Sequence, residues 1–486
     1  MKNKHKKSLI ASHALPSWFD DAKLGIFIHW GLFSVPAYAY LEEGQDVNVL
    51  MAKKGVEYHL AHNPYAEWYL NSLRIEGSPT RAYHQEHYGN KAYEDFATDF
   101  NVTIQQWKPE TWADLFQKAG ARYAVLVTKH HDGFTLWPSD YPNPRRPEYH
   151  AIRDVPGELA TALRSRGLRF GTYYSGKLDW TFTSGPIHDA ASMLANGSNE
   201  REYIDYANHH WHELIDKYEP DILWNDIGYP AGTDVNEIFA YYYAKHPDGV
   251  INNRFIQLPK AAANLDKHKF IARIINGIAN KVVKQGMDPR PKVHHDFETP
   301  EYKVYDEIRK TKWECTRGIG LSFGYNQYET EKEYLSLDAL VHMFVDIVSK
   351  NGNLILNVGP MADGTIPEIQ AQRLLGLGQW LDVNGEAIYG TRPWTRPATT
   401  TTDGLQVRFT KKPGVLHAIV LAQAEQAPIM KGVSIMNLDL PEDARITLLG
   451  MDGDLDWKME GKNVMISFND APPASPALAF KIDGIT

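Results

Sequence analysis

The chain contains very little cysteine. Cys315 is the only thiol among 486 residues, so an intramolecular disulfide is excluded and a reducing compartment is favoured. The zinc-binding spacings CxxC and HExxH are absent as well. We therefore predict no metal site of these types, and the sequence indicates no cofactor.

Long apolar runs are also missing. The basic N-terminus holds an apolar stretch of only residues 9–11 before Ser12 and His13 interrupt it, whereas a signal peptide needs roughly 7–15 apolar residues. No later stretch reaches the roughly 18 apolar residues of a membrane span. We expect a soluble cytoplasmic protein without a membrane partner.

Positive charge is not in excess, because the formal net charge is −9. Binding to nucleic acid needs a basic face, so nucleic acid is disfavoured as a partner. Aromatic residues, by contrast, are plentiful at 12%, with 13 tryptophans. Such rings suit stacking on sugars, although a large barrel core also packs many of them.

Short apolar strands alternate with amphipathic helical stretches over about the first 390 residues. This alternation predicts parallel strands covered by helices, and eight such units predict a (β/α)8 TIM-like barrel, with room for irregularity. The predicted strands cover residues 24–30, 124–131, 168–175, 221–228, 249–255, 294–299, 318–326 and 352–360.

The sequence pattern changes after Thr391. A Pro/Thr-rich stretch over 392–404 reads as a linker, and short alternating strands follow every 8–12 residues, a pattern typical of an antiparallel β-sandwich. We predict a catalytic barrel over 1–395 and a C-terminal β-sandwich over 396–486.

Two insertions interrupt the regular barrel. The first, near 40–64, follows the first strand, where loops usually shape a substrate site. The second, 256–293, contains an amphipathic stretch over 269–283 with locally basic flanks. Both a solvated barrel helix and a subunit contact fit that stretch, so the oligomeric state stays open and includes a homo-oligomer.

Polar and aromatic residues collect at the predicted strand ends. In a (β/α)8 barrel these ends form the active site, so their clustering indicates a function in sugar chemistry. The residues are His29, His130, His131, Tyr173, Asp226, Arg254 and Phe323, with Glu301 just past the sixth strand.

Glycoside hydrolysis requires two carboxyl groups, one to protonate the leaving oxygen and one to attack or to activate water. Asp226 is the best nucleophile candidate because it ends a buried strand, where a carboxylate is costly unless it is paired or catalytic. A structural role capping the next helix is the alternative. For the acid, spacing alone does not choose among Asp296, Glu298, Glu301 and Glu314.

The strand-end histidines fit hydroxyl binding or stabilisation of a carboxylate. A metal role for His130 and His131 is disfavoured, because adjacent residues of one strand point to opposite faces. Strand alternation also predicts Trp224 on the same side as Asp226, as an aromatic wall. Arg254 suits either a hydroxyl or a carboxylate partner.

In order along the chain, these residues resemble the α-L-fucosidases of glycoside hydrolase family 29, in particular the bacterial type. The matches are collinear and cover nearly the whole barrel. They are WFDDAKLGIFIHWGLFSVPAY (18–38), PYAEWY (64–69), YAVLVTKHHDGFTLW (123–137), FGTYYSGKLDW (170–180), PDILWNDIGYP (220–230), NNRF (252–255), DFETPEY (296–302), KWECTRGIGLSFGYN (312–326) and VSKNGNLILNVGPMADGTIP (348–367).

The resemblance implies an exo-acting, retaining hydrolase that removes terminal α-L-fucose from a fucosylated oligosaccharide or glycoconjugate. It implies Asp226 as nucleophile and Glu301 as acid/base, with Glu298 and Glu314 as rivals for the second role. The sugar-binding positions that it implies are His29, Glu67, Trp68, His130, His131, Tyr173, Trp224, Arg254 and Phe323.

One feature departs from the family pattern. About 41 residues separate Arg254 from Asp296, more than we expect in close relatives, so aglycone access or subunit packing can differ. Two other functions fit the sequence less well. One is a barrel glycosidase for a galactoside or a hexosaminide, and the other is a carbohydrate-binding protein on a decayed barrel.

Overall fold

A computed structural model describes residues 2–42, 47–259, 262, 265, 267–284, 293–422 and 431–485. The helices are α1 (Lys2–Ser12), α2 (Ser17–Ala22), α3 (Val47–Lys54), α4 (Val56–Ala61), α5 (Tyr69–Arg74), α6 (Pro79–Tyr88), α7 (Phe96–Thr103), α8 (Pro109–Lys118), α9 (Val155–Arg164), α10 (Ala190–Ala195), α11 (Arg201–Tyr218), α12 (Val235–Lys245), α13 (Lys269–Lys284), α14 (Leu337–Ser349) and α15 (Glu368–Asn384). The strands are β1 (Leu24–Ile28), β2 (Tyr123–Lys129), β3 (Arg169–Ser175), β4 (Ile222–Asp226), β5 (Val250–Ile251), β6 (Trp313–Gly318), β7 (Gly352–Val358), β8 (Arg392–Thr400), β9 (Gln406–Lys412), β10 (Val415–Leu421), β11 (Gly432–Ile435), β12 (Arg445–Leu448), β13 (Trp457–Glu460), β14 (Asn463–Ser467) and β15 (Ala477–Asp483).

Seven parallel strands form the barrel sheet, in the order β5-β4-β3-β2-β1-β7-β6. Every residue of β1, β2, β4 and β7 is buried, because helices cover the outside of the sheet and side chains fill its inside. This burial on both faces explains why the strands appear as continuous apolar runs. The predicted (β/α)8 barrel class is confirmed.

The segment over 296–301 closes the ring between the edge strands β5 and β6. Asn252 forms a parallel bridge to Phe297, and Glu298 and Glu301 form bridges to Trp313 and Thr316. The sixth predicted strand therefore occupies the expected place but contributes isolated bridges rather than a regular strand. We call residues 296–301 the closing segment.

The seventh predicted strand, 318–326, is misplaced. The strand is β6, which ends at Gly318, and the apolar residues after it form turns and bends. Glu314 and Arg317 make the sequence of β6 polar. Glu314 is nevertheless fully buried inside the barrel, where its carboxyl group accepts two hydrogen bonds. A polar side chain is tolerated in this buried strand because its hydrogen bonds are made inside the protein.

The C-terminal region forms two antiparallel sheets, one of five strands, β12-β15-β10-β9-β8, and one of three, β11-β14-β13. Their facing sides share a separate apolar core, as a sandwich requires. The predicted linker after Thr391 is instead β8, and its two prolines are tolerated because β8 is an edge strand. The predicted boundary near residue 395 falls within this strand, and the two-domain division stays a prediction.

The second insertion contains α13, in agreement with the amphipathic stretch. This helix packs against α3, α4 and α10, while Phe270, Ile271, Ile274 and Ile278 are exposed to solvent. Across the described residues, no helix combines the length and the apolar character needed to cross a membrane.

Candidate active site

A cavity of about 280 Å³ opens at the carboxyl ends of the barrel strands. Ten of the eleven site residues expected from the sequence line it, and the eleventh, Arg254, is hydrogen-bonded to one of them. The ten are His29, Glu67, Trp68, His130, His131, Tyr173, Trp224, Asp226, Glu301 and Phe323.

Asp226 is the last residue of β4 and is buried. Tyr173 donates a hydrogen bond of 2.8 Å to its Oδ2, and Arg254 Nη1 donates one of 2.8 Å to its Oδ1. Burial alone would raise the pKa of Asp226, but the Arg254 charge and the Tyr173 hydrogen bond hold it below its ordinary value. Asp226 is thus kept ionised although it is buried.

The residue after Asp226 is held in an unusual conformation. Ile227 has a φ of 52°, in the left-handed region that β-branched residues rarely enter. Its amide N–H donates a hydrogen bond of 2.8 Å to Asp226 Oδ1. The backbone strain at Ile227 therefore serves to orient the carboxylate.

Arg254 links the two carboxyl groups of the cavity. Its Nη1 lies 2.8 Å from Asp226 Oδ1 and 2.6 Å from Glu301 Oε1. The sum of these distances is an upper limit for the separation of the two oxygens, which are therefore no farther apart than the roughly 5–5.5 Å found in retaining glycosidases. The guanidinium also lies 4.7 Å from the ring centre of Trp224.

The rival carboxyls lie elsewhere. Glu298 is paired with Arg309 at 3.3 Å, and Asp296 accepts the amide of Ile251, so neither lines the cavity. Glu314 accepts hydrogen bonds from Tyr123 at 2.5 Å and Trp224 at 3.0 Å. Its burial inside the barrel raises its pKa to about 7. Glu314 supports the indole of Trp224 from behind.

Two histidines present hydrogen-bond acceptors to the cavity. Asn357 donates from Nδ2 to the Phe323 carbonyl, so its Oδ1 accepts from His29 Nδ1 at 2.6 Å. Burial lowers the pKa of His29 to about 3. His29 is therefore neutral, with its proton on Nδ1 and a lone pair on Nε2.

His131 is fixed in the same way. Ser175 Oγ donates to the Leu178 carbonyl at 2.7 Å, so it accepts from His131 Nδ1 at 2.7 Å. Burial lowers the pKa of His131 to about 4. Its Nε2 lies 3.8 Å from Asp226 Oδ2. Like Nε2 of His29, this atom carries a lone pair at the cavity wall.

The expectation that His130 and His131 point to opposite faces is wrong. Strand β2 ends at Lys129, after a register irregularity between Val127 and Lys129. Beyond the strand the alternation no longer applies, so both imidazoles line the cavity with ring centres 4.0 Å apart.

Glu67 reaches the cavity from a short helical turn after the first insertion. It accepts the Gly324 amide at 2.8 Å and is nearly fully buried. Burial raises its pKa to about 8. Glu67 is therefore largely protonated at neutral pH and offers a hydroxyl proton as well as a carbonyl oxygen.

Comparison with known proteins identifies the family of the chain. The family model for α-L-fucosidase matches residues 2–386. This chain belongs to the α-L-fucosidase family. Human tissue α-L-fucosidase is 31% identical over 485 residues, an alignment that covers 96% of this chain and 88% of the human protein.

Solved α-L-fucosidase structures share the whole architecture. The Thermotoga maritima α-fucosidase in complex with a mechanism-based inhibitor is 41% identical, with a TM-score of 0.80 and 98% of each chain covered. The same enzyme in complex with fucose is 41% identical, with a TM-score of 0.78 and coverage of 97% of this chain and 98% of that one. The present chain is accordingly a glycoside hydrolase of the α-L-fucosidase family.

Several residues that line this α-L-fucosidase cavity were missed by the sequence reasoning. Five of the eleven lie on the loop helices α3, α4 and α10, whose positions depend on packing, although the first insertion had marked part of that region. Ile227 was adjacent to a predicted residue but carried no chemical signal. The missed residues are Phe27, Met51, Val56, His59, Leu60, Asn63, Tyr65, Met193, Ile227, Tyr302 and Thr316.

Away from the α-L-fucosidase site, one cluster of described residues has the donor types of a metal site: His13, His294 and Asp296. His13 Nδ1 lies 3.0 Å from Asp296 Oδ1, and its Nε2 lies 3.1 Å from the Pro247 carbonyl. Both ring nitrogens therefore face oxygen acceptors, which favours a protonated imidazole over a metal ligand.

Proposed function

We propose that the chain is an exo-acting, retaining α-L-fucosidase that works through a covalent fucosyl-enzyme. The observation that carries the proposal is the shared contact of Arg254 Nη1 with Asp226 and Glu301. It brings two carboxyl groups close together, and double displacement uses a pair about 5–5.5 Å apart. The cavity, with its volume of about 280 Å³, suits one terminal sugar residue.

Asp226 is the nucleophile in this mechanism. Its carboxylate attacks the anomeric carbon as the bond from that carbon to the leaving oxygen breaks, and Glu301 gives that oxygen its proton. Glu301 then takes a proton from water, the water oxygen attacks the anomeric carbon, and the ester bond to Asp226 breaks. Two inversions give net retention.

Glu301 must hold a proton in the first step, and in the resting site its carboxyl group is in contact with Arg254. The side chain is 37% exposed and belongs to the closing segment, so it has room to turn from Arg254 towards the glycosidic oxygen. We infer that substrate entry displaces Glu301 from Arg254, while Asp226 keeps its hydrogen bonds.

The remaining groups fit the chemistry of a deoxy sugar. The Nε2 atoms of His29 and His131 accept bonds from hydroxyl groups, and Glu67 can donate or accept. Phe323 and Trp224 supply apolar surface for a methyl group. The Thermotoga maritima relative in complex with fucose supports this assignment, because its fold and 41% of its aligned residues are shared.

Hydrolysis of an aryl α-L-fucoside, followed by NMR, tests the proposal. The first-formed sugar should be the α anomer, whereas a first-formed β anomer would contradict double displacement. Aryl α-L-galactoside, which adds one hydroxyl at C6, should be roughly 10–200-fold poorer in kcat/KM. Equal rates, or a preference for a β-galactoside or a hexosaminide, would overturn the assignment of substrate.

A further inference from the structure

The cavity contains an apolar part that sugar recognition does not explain. Its side chains are Met51 on α3, Val56 and Leu60 on α4, Met193 on α10, and Ile227 after β4. All five lie in segments that follow barrel strands, which places them at the mouth of the barrel. A sugar that is rich in hydroxyl groups gains little from such a surface.

The helix α13, from the second insertion, holds two of these mouth helices in place. Asn276 Oδ1 accepts the Ala191 amide in the first turn of α10 at 3.0 Å, and its Nδ2 donates to Asp189 at 2.8 Å. One helical turn later, Asn280 Oδ1 accepts the amide of Val56, the first residue of α4, at 3.0 Å. Each asparagine thus satisfies a free amide at a helix N-terminus.

The orientation of α13 shows that these polar contacts matter. A surface helix normally buries its apolar face, but α13 exposes Phe270, Ile274 and Ile278 and turns its asparagines towards the protein. Among the described side chains of α13, the two asparagines therefore supply specific hydrogen bonds that define how the helix docks on the mouth.

We propose that α3, α4 and α10 form an aglycone subsite for an apolar leaving group, aromatic or aliphatic, and that Asn276 and Asn280 of α13 position its walls. The inference rests on the proposed function, because the aglycone is attached to the oxygen that Glu301 protonates. Among the described side chains here, the polar ones are few, chiefly His59 and Asn63. His59 is neutral, since burial lowers its pKa to about 4.

The subsite is tested with alkyl α-L-fucosides, since methyl, butyl and hexyl leaving groups differ in apolar length while their leaving oxygens are closely alike. Burial of one methylene corresponds to roughly a fourfold gain in kcat/KM. We expect kcat/KM to rise from methyl to hexyl by at least tenfold. A flat series, or a disaccharide aglycone that exceeds hexyl, would overturn the subsite.

Variants locate the effect. Asn276→Ala/Asn280→Ala should reduce the hexyl-to-methyl ratio of kcat/KM at least threefold, and Met193→Ala should reduce it as well. The matched control is Arg273→Ala/Lys281→Ala, on the exposed side of the same helix, which should keep the wild-type ratio. If the double asparagine variant fails to fold, Met193→Ala decides, and an unchanged ratio there contradicts the proposal.

The two proposals fail in different ways. Absence of hydrolysis of every α-L-fucoside by the wild-type enzyme would reject the proposed function itself. Hydrolysis of methyl α-L-fucoside without a chain-length gradient would reject only the apolar aglycone subsite.

Discussion

At the scale of single residues, the site depends on one guanidinium group shared by two carboxylates. Arg254 contacts Asp226 and Glu301 at the same time, and its charge offsets the desolvation of the buried Asp226. Asp226 has two further stabilising contacts, with Tyr173 and with the Ile227 amide. The two carboxyl groups therefore differ in conformational freedom: Asp226 is fixed by its contacts, and Glu301 is able to move.

Replacement of the fixed carboxylate should remove the covalent route. We expect Asp226→Gly to lower kcat on an aryl α-L-fucoside by on the order of 10³-fold or more. Added azide fills the space and should restore turnover with a fucosyl azide of inverted configuration, identified by NMR. Rates close to wild type in Asp226→Gly would refute the assignment.

The effect of replacing Glu301 on the rate should depend on the leaving group of the substrate. Glu301→Ala should retain far more activity on an activated aryl fucoside than on a fucosyl oligosaccharide, because only the poor leaving group needs the proton. The alkaline limb of its pH–rate profile should flatten. Glu298→Ala is the matched control, and appearance of this pattern there, or in Glu314→Ala, would reassign the acid.

Glu67 links stability to pH. Its pKa of about 8 in the folded protein exceeds its ordinary value of 4.5, so the unfolded chain releases its proton first and the free energy of unfolding decreases between those pH values. Glu67→Gln cannot ionise, so its Tm relative to wild type should increase from pH 5 to pH 8.5. A difference in Tm that is constant with pH would contradict the raised pKa.

Sequence reasoning named ten of the residues that line the cavity, chiefly those at strand ends, where position follows from topology. Asp226 and His29 could be named from a buried strand and a terminal polar residue. Glu67 and Trp68 came only from the family resemblance, since no periodicity places their loop. The tautomers of His29 and His131 depend on Asn357 and Ser175, and such contacts between distant elements leave no pattern in the sequence.

At the scale of elements, the prediction failed where polar residues form strands and prolines occupy edges. Strand β6 contains Glu314 and Arg317, and the hydrogen bonds that satisfy the buried Glu314 come from β2 and β4. Strand β8 contains two prolines, which are acceptable only because one of its sides lacks a partner strand in the five-stranded sheet. Both causes are tertiary, so local pattern could not reveal them.

The chain between α1 and α2 is attached to the base of the barrel by His13. Its imidazole stacks on Tyr243 at 3.8 Å and pairs with Asp296. Burial opposes the charge, but Asp296, the Pro247 carbonyl and Asp248 together raise the pKa of His13. The resulting stabilisation is complete below the unfolded pKa of about 6.5 and is lost as pH rises through the folded value.

His13→Phe keeps a ring on Tyr243 and removes the charge. We expect this variant to lose more Tm relative to wild type at pH 5.5 than at pH 8.5, as measured by calorimetry. Equal losses at the two pH values would show that stacking alone holds the segment. Wild-type Tm should also be unaffected by a chelator if His13 is protonated rather than metal-bound.

At the scale of the whole molecule, the barrel and the C-terminal sheets are joined by polar and apolar contacts. His342 on α14 bonds to the carbonyls of Ala422 and Pro476, and Trp380 on α15 donates to Ala477 at 3.0 Å. The barrel class followed from the alternation of strands and helices in the sequence. The packing of the two regions, the oligomeric state and the cellular compartment do not follow from such patterns.

The barrel sheet has its fewest regular strand pairings beside Glu301. Strand β5 has two residues, and the closing segment is held by isolated bridges. Local opening should therefore cost less free energy here than in β1–β3. Backbone amides of residues 296–302 should exchange with deuterium faster than those of β2, and a bound fucose analogue should slow them. Equal protection would mean that the closing segment does not open locally. Glu301 would then reach the glycosidic oxygen by side-chain rotation alone.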